Sequence, residues 1–406
     1  MGSPRNLFLA AALLTLPAIS LADAVMDWNE TGVASVLAAR QPPPEGARTM
    51  AMVHVAIFNA VNAIDRRYAS HGFDGRAPAG ASANAAAAAA ARAVLLKLFP
   101  EQRDALEKAY AASLQKASGE RGIEAGVALG EQAGNECVAM RVHDGVGAPN
   151  VYKPVTSPGV YVSTALPVSH DWREVRPWFM GSPSQLRPEA PPALTSALWA
   201  RDYNEIRAIG AKTSAQRTPE QTEVARFWTA VGVVTWNPIV RSLAAAQPRS
   251  LIENARLFAL VNMAATDAFV AVFDAKYAFN FWRPVTAIRN GDSDGNDATA
   301  PEPGWVPLVD TPMHPEYPCA HCISAGAVAA VLESEFGMGR VGPIEMTSPT
   351  APGVTRRWDR IADYVKEVDN ARVWGGIHYR NSTEVGERMG REIGRLAVSN
   401  GLQPAR

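Results

Sequence analysis

Apolar positions recur at helical spacing through most of this 406-residue chain, and strict apolar–polar alternation is scarce. The alanine run 85–91, followed by Leu95, Leu96, Leu98 and Phe99, predicts a packed helix. Further helices are expected over 102–117 and 122–142. Thr218–Pro219–Glu220–Gln221 sets a hydroxyl at the N-cap, proline at N1 and glutamine at N3, and Ser250–Leu251–Ile252–Glu253 has capping-box spacing. From Ser250 the apolar pattern runs through Ala264, Phe269 and Phe273 to Lys276, and Pro284 is expected to end or kink that helix. Later helices are expected near 323–331, over 354–368 with Trp358, Ile361 and Val365 on one face, and over 383–396. The pattern therefore predicts an all-α fold. Two irregular stretches interrupt it, a Pro/Gly-rich insertion at 145–192 and a loop at 290–318, and there is no repeat at a fixed 20–50-residue period.

The first 22 residues follow a different rule. Arg5 precedes an apolar run from Leu7 to Ile19, and Ser20–Leu21–Ala22 fits a small-residue cleavage site. This predicts a signal peptide over 1–22, an exported protein (periplasmic or secreted) and one domain over 23–406; an uncleaved anchor helix is the competing reading. No later segment is expected to be long and apolar enough to cross a membrane. Hydrophobic residues make up 47% and charged residues 19%, as in ordinary globular proteins. A net charge of −1 gives no sign of nucleic-acid or membrane-surface binding. Three cysteines, Cys137, Cys319 and Cys322, are too few for a disulfide scaffold, though Cys319 and Cys322 could pair locally.

Candidate chemistry gathers between about 250 and 400. Lys276 and Arg283 are seven residues apart, two helical turns, so both are expected on one helix face, and like charges held together call for an anion. Pro318–Cys319–Ala320–His321 precedes a helix-like run, which would aim backbone N–H groups at such an anion. Arg372 and His378 add a third cation and a second imidazole. Three cations and two histidines make a plausible cage for a tetrahedral oxyanion, with one histidine to bind or attack and the other to move protons. The aspartates at 292, 294 and 297 partly resemble a calcium loop but lack its twelfth-position glutamate. His314, Cys319, His321 and Cys322 are metal-ligand types at non-standard spacing.

The joint pattern resembles the superfamily of vanadium-dependent haloperoxidases and type 2 phosphatidic acid phosphatases. Its motif reads Lys, six residues, Arg-Pro; then Pro-Ser-Gly-His; then Ser-Arg, five residues, His, three residues, Asp. Here Lys276, Arg283, Pro284, Pro318, His321, Arg372 and His378 match it. Asp27–Trp28–Asn29, Pro42–Pro43–Pro44, the stretch 54–65 and Trp374–Gly375–Gly376–Ile377–His378 resemble the bacterial haloperoxidase-like branch.

The resemblance implies an all-α fold of haloperoxidase-type helical bundles, with the site at the helix ends and vanadate as cofactor. His378 would be its axial ligand and His321 the acid/base for peroxide. Lys276, Arg283 and Arg372, with positions 319 and 320, would hold the oxyanion, and Lys276 would also polarise peroxide. His314 stands where algal bromoperoxidases carry a second histidine, a pointer to halide chemistry. The implied partners are hydrogen peroxide, halide and a small organic substrate. The alternatives are a soluble acid phosphatase, with phosphate from a phosphomonoester in the same cage, and a degenerate oxyanion-binding member.

Four positions depart from the pattern. Cys319 replaces the serine donor, Ala320 the glycine, Ala371 the serine before Arg372, and Ser382 the aspartate expected to orient His378.

Overall fold

The computed structural model of the chain describes residues 23–163 and 165–405, so the segment read as a signal peptide lies outside the described residues. The N-terminal half is built from α1 (Ala24–Ala38), α2 (Pro43–Asp65), α3 (Ala83–Leu98), α4 (Arg103–Lys116) and α5 (Ile123–Met140). Three shorter helices, α6 (Ala197–Ile209), α7 (Pro219–Phe227) and α8 (Asn237–Ala245), lead into the C-terminal half. That half holds α9 (Leu251–Phe279), α10 (Pro284–Arg289), α11 (Ala320–Phe336), α12 (Ile361–Trp374) and α13 (Arg380–Asn400). The expected all-α architecture is present, with one small antiparallel hairpin, β1 (Ile344–Ser348) and β2 (Ala351–Trp358).

Helix α9 is the spine. Its capping box forms as expected, with Ser250 N–H donating to Glu253 at 2.9 Å. Every residue from Leu257 to Tyr277 is buried, as fits a helix that is apolar all round. By length and composition alone α2 and α9 could each cross a membrane, against the expectation that no later segment would. The most apolar windows of these helices are 83% and 100% buried against the rest of the protein. One continuous core, from Ala24 to Leu402, joins the two halves around them.

Three local expectations are corrected. Helix α9 is ended by Asn280 in the left-handed conformation, its N–H closing on the Lys276 carbonyl, and Pro284 instead starts α10. Arg283 therefore lies beyond α9 and does not share a helix face with Lys276. The helix expected over 354–368 begins only at Ile361, because Pro352–Gly353 and the β-branched Val354 and Thr355 belong to β2. The loop at 290–318 is organised from within: Asp294 accepts from the Trp199 indole at 2.7 Å and from Thr299, so this carboxylate ties the loop to α6.

The tightest packing uses glycine. A Cβ added to Gly386, Gly390 or Gly394 of α13 would stand 2.8, 2.1 or 2.4 Å from the carbonyl oxygens of Cys319, Ile323 and Ala327 on α11 and its cap. Helix α5 repeats the register against α3, where Gly126, Gly130 and Gly134 meet the carbonyls of Ser82, Ala86 and Ala90. The correspondence reaches the helix starts. Ser82 N–H donates to Gly122 and Cys319 N–H to Ser382, and each N-cap side chain accepts from the amide three residues on.

Helices α12 and α13 enclose a buried acid. Burial, then the Glu387 charge, holds the Asp369 carboxyl well above its ordinary range, against the opposing pull of Arg380 and Arg391. The folded state thus keeps a proton that the unfolded chain releases above pH ~4. Stability is therefore lost as pH rises from there towards the folded group's own pKa. Asp369→Asn is expected to raise the melting temperature at pH 8 more than at pH 4.5; an equal change at both values would refute this.

Candidate functional site

The site forms where the end of α9, the start of α10, the loop before α11 and the turn between α12 and α13 converge. An aromatic cluster sets its back wall. Trp282 stacks on Trp199 at 5.8 Å between centroids, and Tyr379 meets the same indole edge-on at 5.0 Å. These rings immediately precede Arg283 and follow His378, so their packing fixes where both functional side chains leave the backbone.

Arg283 is the hub. Its guanidinium donates to the carbonyls of His314 and Ile377, both at 2.9 Å, to His314 Nδ1 at 3.0 Å and to His378 Nε2 at 3.3 Å. A guanidinium can only donate, so His378 Nε2 accepts, while His314 Nδ1 lies between this donor and the Pro315 carbonyl, 3.1 Å away. Lys276 is fully buried and donates to the Pro315 and Glu316 carbonyls at 3.0 and 2.8 Å, which leaves one N–H unused. Arg372, in the last turn of α12, donates to the Trp228 carbonyl, and its buried Nε has no partner. Among the described residues none of these cations has a carboxylate within ion-pairing distance.

Burial depresses all three cations. Lys276 is pushed well below its ordinary value, by desolvation first and by Arg283 next. Arg283 is pushed down to about 10 and Arg372 to about 9, chiefly by desolvation, so both guanidinium groups stay charged at neutral pH. The same burial, with the surrounding cations, holds His314, His321 and His378 well below their usual range, as neutral imidazoles.

Helix α11 brings the second motif. His321 Nε2 donates to the Ala230 carbonyl at 3.0 Å, which leaves Nδ1 able to take a proton. Ala320 and His321 are the first two residues of the helix, so their N–H groups have no partner within it. Cys319 is the N-cap and is disulfide-bonded to Cys322. It offers no thiol proton where the motif has a hydroxyl, and neither cysteine is free to bind a metal.

His314, Ala320, His321, Arg372 and His378 line one cavity of about 340 Å³. Its other wall is apolar, with Phe269, Phe273, Val231 and Ile377, and Pro43 and Pro44 at its edge. Lys276, Arg283 and Cys319 stand behind this lining rather than in it. His54 lies in a separate buried network with Asn29 and does not reach the cavity.

Sequence reasoning missed Glu316. It is fully buried and its Oε1 lies 2.7 Å from His378 Nδ1. Its only signal was an acidic residue two positions before Pro318, in a loop that periodicity does not describe. Burial pushes its carboxyl up to about 7, against the pull of Lys276 and Arg283.

A vanadate or phosphate fits what these residues present: unpaired buried cations, an orphan Arg372 N–H, free helix N–H groups and an acceptor imidazole nitrogen. Residues 256–404 match the family described as the VCPO second helical-bundle domain. The vanadium chloroperoxidase of Curvularia inaequalis is 33% identical over 159 residues, a match spanning 32% of this chain and only a quarter of that protein's length. In fold, the chain is similar to the first bacterial vanadium-dependent iodoperoxidase, with a TM-score of 0.81 at 22% identity over 96% of this chain and 99% of the other. It is also similar to an apo-type bacterial vanadium-dependent chloroperoxidase, with a TM-score of 0.71 at 17% identity over 88% and 92% of the two chains. The motif spacing and the helical bundle that carries it point the same way as these likenesses: residues 256–404 carry the VCPO second helical-bundle domain, in a chain that shares the fold of bacterial vanadium-dependent haloperoxidases.

Proposed function

We propose that this chain binds vanadate in the cage and uses hydrogen peroxide to oxidise halide to a halogenating species. The observation that carries the reading is the set of three buried cations without a carboxylate partner. Burying unpaired charge is costly, and an arriving oxyanion would offset that cost. Lys276, Arg283 and Arg372, with the N–H groups of Ala320 and His321, would hold its oxygens, and His378 Nε2 would bind its central atom. Vanadate would supply a Lewis acid that activates peroxide towards halide. His321 Nδ1 would take the peroxide proton and return it, while Lys276 and the two arginines hold negative charge on the bound oxygens. The apolar wall would keep water back and receive a small organic acceptor. Export is proposed with this reading, and the Cys319–Cys322 disulfide supports it, since such bonds persist in oxidising compartments.

The same cage suits phosphate, so the test has two arms. Purified protein, with and without vanadate, is assayed for peroxide-dependent bromination and iodination of a phenolic dye, and separately for phosphomonoester hydrolysis. Halogenation that requires vanadate supports the proposal. Phosphate release that vanadate inhibits would replace it with a phosphatase. Anion binding with neither activity would leave a degenerate binding protein.

Restoring the motif hydroxyl gives a sharper expectation. In Cys319→Ser/Cys322→Ala the α11 N-cap regains an O–H donor. A hydrogen bond to a charged group contributes about 1.5 kcal/mol, so vanadate binding should tighten roughly tenfold. Titration of vanadate into both proteins checks this, and equal affinities would show that position 319 does not face the anion.

A further inference from the structure

We propose that Glu316 is the positioning residue of His378, holding it as the Nδ1–H tautomer so that the Nε2 lone pair faces the cage. The inference deepens the proposed function and rests on that reading for its anion. Glu316 is 0% exposed, yet its carboxylate meets no cation: Lys276 bonds its backbone carbonyl instead. Oε1 receives the His378 Nδ1 proton at 2.7 Å and the Tyr379 N–H at 3.1 Å, while Oε2 has no hydrogen-bond partner. A carboxylate buried with one oxygen unsatisfied costs stability, and packing gives it no compensation. The hydrogen bonds of well-formed geometry that its side chain accepts serve the ring of His378 and the backbone of Tyr379.

The other face of the ring agrees. His378 Nε2 faces the Arg283 guanidinium, which cannot accept a proton, so both neighbours select one tautomer. A carboxylate on the far nitrogen also makes the near nitrogen a better donor to a metal or phosphorus centre. Ser382, one helical turn beyond His378, is buried with its hydroxyl against the Glu316 carboxyl. The carboxylate that could have come from that turn comes instead from the loop before α11. This ties the orientation of His378 on the third motif to the segment that leads into His321 on the second.

The test moves the carboxylate. Glu316→Ala, the near-isosteric Glu316→Gln, and Glu316→Ala/Ser382→Asp are compared with the unaltered protein. The tautomer of His378 is read from its ring 15N shifts in the anion-free protein, and vanadate affinity from direct titration. We expect Glu316→Ala to give a mixture of tautomers and about 100-fold weaker vanadate binding, Glu316→Gln to keep the tautomer with about tenfold weaker binding, and Ser382→Asp to restore most of both. An unchanged tautomer and affinity in Glu316→Ala, or in Glu316→Gln should the alanine variant not fold, would overturn the proposal. If the unaltered protein bound no vanadate, the functional reading would fail, while the 15N shifts would still decide whether Glu316 sets the ring.

Discussion

In the His378→Ala variant the proposed vanadate-dependent halide oxidation is expected to fall to background, a loss of roughly 10⁴-fold or more. The reason is that the groups of this cage act as one unit. His378 Nε2 is the acceptor nitrogen that Arg283 faces, and His314 Nδ1 is already placed between the same guanidinium and the Pro315 carbonyl. His321 is tied to Ala230 through Nε2 and cannot substitute without leaving α11's first turn. Alanine would remove the ligand and also strand the Glu316 carboxylate, leaving Tyr379 N–H as its only partner. Rates must therefore be compared on protein shown to be folded by circular dichroism. Measurable vanadate-dependent turnover in folded His378→Ala would remove this histidine from the chemistry, whatever the fold.

The largest structural effect is expected at Gly390, outside the candidate site. A valine there would place Cβ 2.1 Å from the Ile323 carbonyl oxygen and 2.9 Å from the Ala327 nitrogen. Both are backbone atoms of α11, so no side chain can swing aside; the helices must part. Overpacking a core typically costs ~1–3 kcal/mol, and forcing two helix backbones apart belongs at or above the top of that range. Gly390→Val should therefore lose about 3 kcal/mol or more in denaturant unfolding, while Gly339→Ala, where an added Cβ meets nothing within 4 Å, should lose almost nothing. The displaced helix carries Ala320 and His321, so residual folded protein should bind vanadate less well too. Equal stability of the two variants would show that the α11–α13 contact is looser than described.

Much of the cage was legible because its signals are local. Lys276 and Arg283, the Pro318–His321 stretch and Arg372 with His378 each sit in a short motif, and the structure brings all of them to one place. Their mutual geometry was not legible. The expectation of a shared helix face failed at Asn280, whose left-handed conformation a periodicity count does not register. The hairpin at 344–358 was missed because Trp358 and Val354 fit an apolar helix face as well as a strand. Glu316 was hidden for a different reason: its meaning depends on a contact across 62 residues, and a loop carries no period to announce it.

The glycine register shared by α3–α5 and α11–α13 sets two matching helix starts in different surroundings. The chain offers the same helix start twice, once at Ser82 and once at Cys319. At the first, Glu120 closes it from within, its two carboxylate oxygens taking the Ser82 hydroxyl at 2.6 Å and the Asn84 amide at 2.7 Å. At the second, His321 stands where Asn84 stands in the register, and the position opens onto the cavity. One scaffold thus serves as a plugged socket and as an open one, and the difference lies in whether the chain supplies its own anion.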